Sequence, residues 1–127
     1  MRVLSWLEGR SCTNVVRHEY SWQFSFGEGC YLTVWSPWRI VVNGHIIVAH
    51  TDHGQKFGGL QPIDVPTRAL QVLSARPIKS VIEQPVQGDL SLEFDGGARL
   101  ELFADSSGYE SWELSSPGGD IVVGRND

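Results

Sequence analysis

The sequence predicts a mainly β protein of the α+β class, in which antiparallel β-meanders form a sandwich or half-barrel with one short central helix. Apolar and polar residues alternate along several stretches separated by turn residues, which is the period of a strand with one buried face. The apolar spacing becomes helical in one segment only. A chain of 127 residues has the length of a single domain, divided here into a hairpin half at 10–50, a loop and helix at 51–76, and a second hairpin half at 77–125.

The first half begins with a hairpin of aromatic and aliphatic residues. Alternation over residues 22–26 places three aromatic rings on one face of a strand. The Gly-Glu-Gly turn at 27–29 then reverses the chain into a second alternating stretch at 30–34. Pro37 ends this second strand, because proline has no N–H to donate to the sheet.

A second hairpin follows with a stronger turn signal. Apolar stretches at 40–42 and 46–48 flank Asn43 and Gly44. An Asn-Gly pair supplies the positive φ angles that a two-residue type I′ turn requires. The polar, glycine-rich residues 51–62 come next and are expected to form an exposed loop.

A short helix is expected after this loop. Asp64 or Thr67 can cap its first turn. Leu70 and Leu73 have the three-residue spacing of one apolar helical stripe. Pro77 keeps the helix short, since the residue before a proline disfavours the helical conformation.

The second half of the chain resembles the first. Its strands are expected at 78–83, 90–94, 100–102, 112–114 and 121–123, with a turn at 95–97. Six positions recur at an offset of 68 residues: Trp22, Phe24, Phe26, Gly29, Leu32 and Val34 fall on Leu90, Leu92, Phe94, Gly97, Leu100 and Leu102. Two interpretations are open, a structural repeat or a likeness that any two amphipathic hairpins share. In both cases two β-meanders must bury their apolar faces against each other or against the helix.

Composition excludes several classes of function. Lys and Arg number 10 against 15 Asp and Glu, a net charge of −5, so we expect no nucleic-acid partner, which would require surplus cationic side chains. The N-terminal apolar run is broken by Ser5 and Glu8, and no later segment approaches the ~18 apolar residues of a membrane span. We therefore expect a cytoplasmic protein with no membrane partner. Cys12 and Cys30 are expected to be buried free thiols.

No residue pattern predicts catalysis, a cofactor or a metal site. His50 and His53 differ by an odd number of positions, so in a strand they face opposite sides, and Gly54 disfavours a helix that would present both. Together with His45 they are interpreted as part of a polar loop. Serine-containing segments near 106 and 116 are interpreted as turns, because they lack the Gly-x-Ser-x-Gly pattern of an activated nucleophile.

Charge is distributed unevenly along the chain. Residues 1–80 contain eight Lys or Arg against five Asp or Glu, a net of +3, whereas residues 81–127 contain two against ten, a net of −8. Alternation then predicts that four carboxylates point outward on neighbouring strands and form an acidic face. These residues are Asp89, Glu93, Glu101 and Glu113. Such a face is either a solvated surface or a surface that binds a cationic partner.

Two further residues complete the candidate binding surface. Glu110 shares parity with Trp112, so either the strand starts after Glu110 or its carboxylate caps a buried group. Tyr109 is interpreted as core or rim packing, with contact to a partner as the alternative.

Several motifs resemble those of a family of small bacterial proteins. They are Phe26-Gly27-Glu28-Gly29, Leu92-Glu-Phe94-Asp95-Gly96-Gly97 and Tyr109-Glu110-Ser111-Trp112-Glu113-Leu114, the last followed by Ser-Pro-Gly-Gly and Ile-Val-Val-Gly. Members of that family combine an N-terminal meander, a short central helix, a glycine-turn hairpin and a Tyr-Glu-x-Trp-x-Leu ending. Such proteins are similar to immunity proteins of polymorphic or contact-dependent toxin systems, which bind a cognate toxin and block its active site. The resemblance carries over no catalytic residue.

Together these observations lead to one functional expectation. The chain is expected to be a non-enzymatic, immunity-type protein that binds and neutralises a cognate, basic, nuclease-like bacterial toxin through its acidic surface. The alternatives are a small-ligand- or metal-binding β module that uses His50, His53 and the aromatic residues near Trp22, and a structural protein-interaction domain, with a homodimer possible through an edge strand.

Overall fold

The computed structural model describes residues 4–84 and 86–124 and contains two antiparallel five-stranded sheets with one α-helix in that part of the chain. The strands are β1 (Asn14–Arg17), β2 (Trp22–Ser25), β3 (Tyr31–Val34), β4 (Trp38–Val42), β5 (His45–Ala49), β6 (Ile78–Glu83), β7 (Leu90–Phe94), β8 (Ala98–Leu102), β9 (Trp112–Ser115) and β10 (Ile121–Gly124). The helix α1 spans Val65–Leu73, and short 3₁₀ turns lie at Ser5–Leu7, His50–Asp52 and Asp95–Gly97. The predicted α+β class and sandwich arrangement are confirmed.

The two sheets do not correspond to the two halves of the sequence. Sheet A has the strand order β1-β2-β3-β9-β10, and sheet B has the order β5-β4-β8-β7-β6. Each half contributes three strands to one sheet and its last two strands to the other. The halves do form a sandwich, but each sheet combines three strands of one half with the last two strands of the other, because β4 and β9 each cross to the opposite sheet after a hairpin is complete.

The strand pairing follows an internal repeat. Adding five to each strand number, and continuing from β10 to β1, converts the order of sheet A into that of sheet B read from its other edge. Phe24 pairs with Leu32 in the first hairpin and Leu92 with Leu100 in the second, which reproduces the offset of 68 in the pairing register. The likeness of the two hairpins thus extends to their neighbours in each sheet. This agreement favours a structural repeat over a coincidence of alternation.

The alternating residues form one core between the sheets. Aromatic and aliphatic side chains of β2, β3, β7 and β8 are buried, while the intervening residues are half-buried or exposed. The indole of Trp38 on β4 packs edge-on against Trp22 and Phe24 of the opposite sheet, with ring centroids 5.2 and 5.0 Å apart. This contact places β4 of sheet B across from β2 of sheet A.

The helix covers one side of the sandwich, where it packs against β1 and β5. The Asp64 carboxylate accepts a hydrogen bond from the Thr67 N–H at 3.1 Å, which identifies Asp64 as the N-terminal cap. The helix ends at Leu73, before Pro77, as predicted. No helix among the described residues is long and apolar enough to cross a membrane.

The turn between β4 and β5 confirms the Asn-Gly prediction. Asn43 and Gly44 both have positive φ, at 49° and 83°, as a type I′ turn requires. The residues of the following loop, 53–62, are exposed. Local turn chemistry and alternation therefore predicted the hairpins correctly.

Candidate functional site

The candidate site lies where two connections between the sheets meet. Residues 35–37 lead from β3 to β4, and residues 103–111 lead from β8 to β9. The Trp35 N–H donates to the Ser111 carbonyl at 3.0 Å, and the Phe103 N–H donates to the Pro37 carbonyl at 2.9 Å. These two hydrogen bonds are equivalent under the repeat. The connections therefore run side by side and extend the pairing of both sheets by one residue.

The repeat is broken between these connections. The first contains three residues and the second contains nine. Before the connection, equivalent residues differ by 68 positions, as Val34 and Leu102 do. After it, Trp38 and Trp112 are equivalent, with a difference of 74. The second half thus carries six additional residues at this point.

Hydrogen bonds fix the longer connection at several points. The Ala104 N–H donates to Oδ1 of Asp89 at 2.8 Å. The Ser106 hydroxyl oxygen accepts from the N–H groups of Gly108 and Tyr109, at 3.2 and 2.9 Å. The Ser111 N–H donates to the Gly124 carbonyl at 2.6 Å. The Ser106 hydroxyl thereby fixes the backbone that carries Tyr109.

A cavity of about 470 Å³ opens between the two connections. It is lined by Trp35 from the shorter connection and by Gly108, Tyr109 and Glu110 from the longer one. Trp35 is 45% exposed and Tyr109 is 82% exposed, although both are large aromatic residues. The longer connection of the second half thus builds one part of the cavity wall and the shorter connection builds the other.

Two buried hydroxyl groups belong to neighbours of Trp35. Ser36 follows Trp35 in the chain, and the Ser111 carbonyl accepts the hydrogen bond from the Trp35 N–H. Ser36 and Ser111 are 4% and 2% exposed, and neither hydroxyl has a hydrogen-bond partner within the described residues. Buried polar groups are normally paired, so unpaired ones are typical of a site at which a ligand or water completes the bonding. Neither Ser36 nor Ser111 lines the cavity, so both hydroxyls belong to the interior beside it.

The equivalent position in sheet B is occupied by the chain itself. Phe103 is the residue equivalent to Trp35, and the Arg39 guanidinium lies 5.0 Å from the centroid of its ring. Arg39 also forms an ion pair with Glu101, with 2.8 Å between Nε and Oε1. An internal cation thus stacks on the aromatic ring and is neutralised by a carboxylate.

Sheet A has the aromatic ring at this position without the cation. Glu113 is paired opposite Thr33 on β9, as Arg39 is paired opposite Glu101 on β4. Glu113 therefore occupies in sheet A the place that Arg39 has in sheet B. Neither Glu113 nor Glu110 has a basic partner in the described part of the chain. Trp35 thus has Glu110 in the same cavity and Glu113 on the neighbouring strand of sheet A, where sheet B has an arginine.

The structure divides the predicted acidic face between the two sheets. Glu93 and Glu101 lie on sheet B, where Arg99 forms ion pairs with both, at 3.7 and 3.6 Å. Asp89 accepts the hydrogen bond from Ala104 described above. Glu113 lies on sheet A. The prediction of one shared acidic face is therefore wrong, because alternation distinguishes inward from outward but not one sheet from the other.

The remaining predicted residues do come together. Tyr109 and Glu110 line the same cavity, and β9 begins at Trp112, so Glu110 lies outside the strand and is exposed. Sequence reasoning missed Trp35. Its signal was an aromatic residue directly after a strand and beside a proline turn, and the repeat aligns it with Phe103.

The histidines make local contacts with the backbone. Nδ1 of His50 lies 3.3 Å from the backbone nitrogen of Trp38. Nδ1 of His53 accepts a hydrogen bond from the Val65 N–H at 3.2 Å. The described residues contain no group of three or more His, Cys, Asp or Glu side chains placed to hold a metal ion.

Both cysteines are free and buried, as predicted. Burial raises the pKa of the Cys12 thiol to about 12. Burial also raises the pKa of the Cys30 thiol, with an opposing effect from the nearby positive charge of Arg10. Raised pKa values of this kind are typical of structural rather than reactive thiols.

Comparison with known proteins identifies a family. Residues 3–126 match the model of a family of unknown function (DUF6188). The chain belongs to this family. No curated protein and no solved structure matches the chain. Membership agrees with the resemblance inferred from the sequence motifs as far as the existence of a family, and it assigns no activity.

Proposed function

We propose that this member of the family is a non-enzymatic protein-binding domain that recognises a basic protein partner through the outer face of sheet A, beside the Trp35 cavity. The observation that carries the proposal is the charge difference between the two outer faces. On sheet B, Glu93 and Glu101 are ion-paired with arginines. On sheet A, Glu110 lines the Trp35 cavity and Glu113 lies on the neighbouring strand β9, and neither has an ion pair among the described residues.

The composition of this face supports protein binding. Outward positions on its strands alternate with the buried ones and carry mainly uncharged side chains. They include Val16, Gln23, Ser25, Tyr31, Thr33, Ser115, Ile121 and Val123, with Glu113 among them. The centres of protein interfaces are depleted of charged residues and enriched in aromatic ones. A surface of this kind, with carboxylates at one end, suits a partner whose contact surface is apolar at its centre and basic at its rim.

The immunity-type role is the most specific form of this proposal. It rests on the resemblance of the sequence motifs and on the position of the unpaired carboxylates. A nuclease-like toxin presents basic residues around its active site to bind phosphates, so an acidic, aromatic surface can cover that site and block it. Association would then be accelerated by charge and weakened by salt.

The test uses the protein encoded next to this chain as the candidate partner. Its affinity for the wild-type chain is measured by calorimetry at low and moderate salt. The variant pair Glu110→Gln with Glu113→Gln is expected to weaken binding about tenfold or more at low salt, a loss of roughly 1.4 kcal/mol. The matched pair Glu93→Gln with Glu101→Gln removes the same charge from sheet B and is expected to leave the affinity within about threefold.

Two results would contradict the proposal. If the sheet B pair weakens binding as much as the cavity pair, the binding surface does not lie on sheet A. If the neighbouring gene product shows no binding to the wild-type chain, the immunity-type role fails.

A further inference from the structure

We propose that the Trp35 cavity is a receptor for a single guanidinium group, supplied by an arginine side chain of the partner. This inference rests on the proposed function, since it names the group that the partner would insert. Trp35 would stack on the guanidinium plane, and Glu113 and Glu110 would neutralise its charge. Nothing in the family description assigns a ligand to this cavity.

Sheet B contains an internal cation stacked on an aromatic ring. Arg39, Glu101 and Phe103 form a complete arrangement of guanidinium, carboxylate and aromatic ring. The hydrogen bonds of Phe103 and Trp35 to the neighbouring connection are equivalent, so the two rings have the same place relative to their sheets. The fold therefore supports a guanidinium on an aromatic ring at this position of one sheet.

Sheet A has a negative side chain at the position where sheet B has a positive one. Where the repeat would place an arginine beside Trp35, the chain has Glu113. A carboxylate in this place adds a second group that attracts an external cation, since cations bind both to ring faces and to carboxylates. The site thus lacks only the cation that sheet B contains.

The Trp35 cavity is large enough for the end of an arginine side chain. The longer connection of the second half contributes Gly108, Tyr109 and Glu110 to the lining of a cavity of about 470 Å³, which Trp35 also lines. Small-molecule sites in proteins commonly measure about 300–1,000 Å³, so the end of an arginine side chain fits here. The planar guanidinium also provides five N–H donors in a fixed fork, whereas a lysine ammonium provides three, so a guanidinium suits a site with two carboxylates better.

The test is a titration that needs no protein partner. The indole N–H resonances of the full-length chain are followed by NMR while N-acetyl-arginine amide is added, and the Trp35 signal is assigned with Trp35→Phe. N-acetyl-citrulline amide has nearly the same shape without the charge and is the control ligand. We expect a saturable shift of the Trp35 signal with the arginine compound and an affinity at least about tenfold lower for the citrulline compound.

Two variants show whether the response comes from this site. Glu113→Arg supplies an internal guanidinium at the place equivalent to Arg39 and is expected to abolish the shift. Glu8→Arg makes the same charge change at an exposed position by the first 3₁₀ turn and is expected to leave the titration unchanged. Unchanged dispersion of the other indole signals shows that each variant is folded.

The outcomes separate this inference from the proposed function. Equal affinity for the arginine and citrulline compounds, or a Trp35 shift that survives Glu113→Arg, would overturn the guanidinium site. Either result would leave partner binding through sheet A to its own test. Binding of free L-arginine with an affinity well above that of the capped amide would also overturn it, because the ligand would then be a free amino acid rather than a protein side chain.

Discussion

The two places where the chain crosses between sheets share an equivalent backbone hydrogen bond but differ in length and in chemistry. At the sheet B crossing, the Phe103 ring is stacked by Arg39, and the neighbouring carboxylates are ion-paired. At the sheet A crossing, Trp35 is almost half exposed beside Glu113 and an open cavity. At the sheet B crossing the charged side chains form ion pairs with each other, whereas at the sheet A crossing Glu113 has no ion pair among the described residues.

The difference shows how a repeat can separate stability from function. The shared elements, two hairpins and two exchanged strands, form the buried core in both halves. Two differences between the halves, the six extra residues of the longer connection and the reversed charge at Glu113, occur near the Trp35 end of sheet A. Loops on a rigid scaffold commonly carry binding residues, and here the loop is recognised by its absence from the other half.

The largest expected effect comes from making the two crossings equal in length. Deletion of residues 105–110 leaves Phe103, Ala104 and Ser111 as a three-residue connection that matches 35–37. We expect this variant to fold, because the core and all strands are retained, and to lose binding of N-acetyl-arginine amide entirely, because one cavity wall is gone. Circular dichroism and the NMR titration measure the two properties. A folded deletion variant that still binds would show that the longer connection is not part of the site.

The next effect concerns the tryptophans that follow the crossings. Gly124 pairs with Trp112, and a Cβ atom at Gly124 would collide with the buried Trp112 indole. In the first half, the residue equivalent to Gly124 is His50, which lies beside Trp38. Gly124→Ala is therefore expected to lower the free energy of unfolding by about 1–3 kcal/mol. Gly108→Ala is the control, with open space around its Cβ, and is expected to change it by less than about 0.5 kcal/mol. Equal effects in urea denaturation would contradict the asymmetry of packing.

A smaller effect separates the two tryptophans themselves. Nε1 of Trp112 donates to the Gly88 carbonyl at 2.7 Å, while Nε1 of Trp38 is buried without a partner among the described residues. Trp112→Phe and Trp38→Phe remove similar apolar contacts, but only the former breaks a buried hydrogen bond. We expect Trp112→Phe to be more destabilising by about 1 kcal/mol in urea denaturation. The reverse order would contradict the assignment of these bonds.

The smallest effect at neutral pH is that of the thiols, which occur only in the first half. The Cys12 pKa rises from 9.0 to about 12 on folding, so the unfolded chain loses this proton first as pH rises. This contribution to stability is complete below pH 9 and is lost progressively between pH 9 and 12. Cys12→Ala should therefore show a shallower fall of the unfolding free energy with pH in that window. An unchanged slope would contradict the burial of the thiol.

The sequence predicted what depends on neighbouring residues. Alternation located the hairpins, the Asn43-Gly44 pair located a turn, and Asp64 located the start of the helix. It did not predict that β4 and β9 exchange sheets, because pairing between β3 and β9 is a long-range contact with no local signal. Because this exchange was not predicted, Glu113 was expected on one face with Glu93 and Glu101, whereas it lies on the other sheet.

The candidate site was predicted only in part for the same reason. Tyr109 and Glu110 were identified from their position before the last hairpin, but Trp35 lies about 75 residues away in the sequence and joins them through the crossing of two connections. Once the strand order is known, the repeat itself indicates Trp35, since it is the exposed equivalent of Phe103.

The most direct test of this account exchanges the charges between the two crossings. The double variant Arg39→Glu with Glu113→Arg keeps the net charge and moves the internal guanidinium from Phe103 to Trp35. A depression of about 250 Å³ already includes Phe103 and Glu101 on sheet B. Titration with N-acetyl-arginine amide, followed by NMR, is predicted to shift the signals of Phe103 and no longer that of Trp35. A shift that stays at Trp35 in the folded double variant would contradict the account.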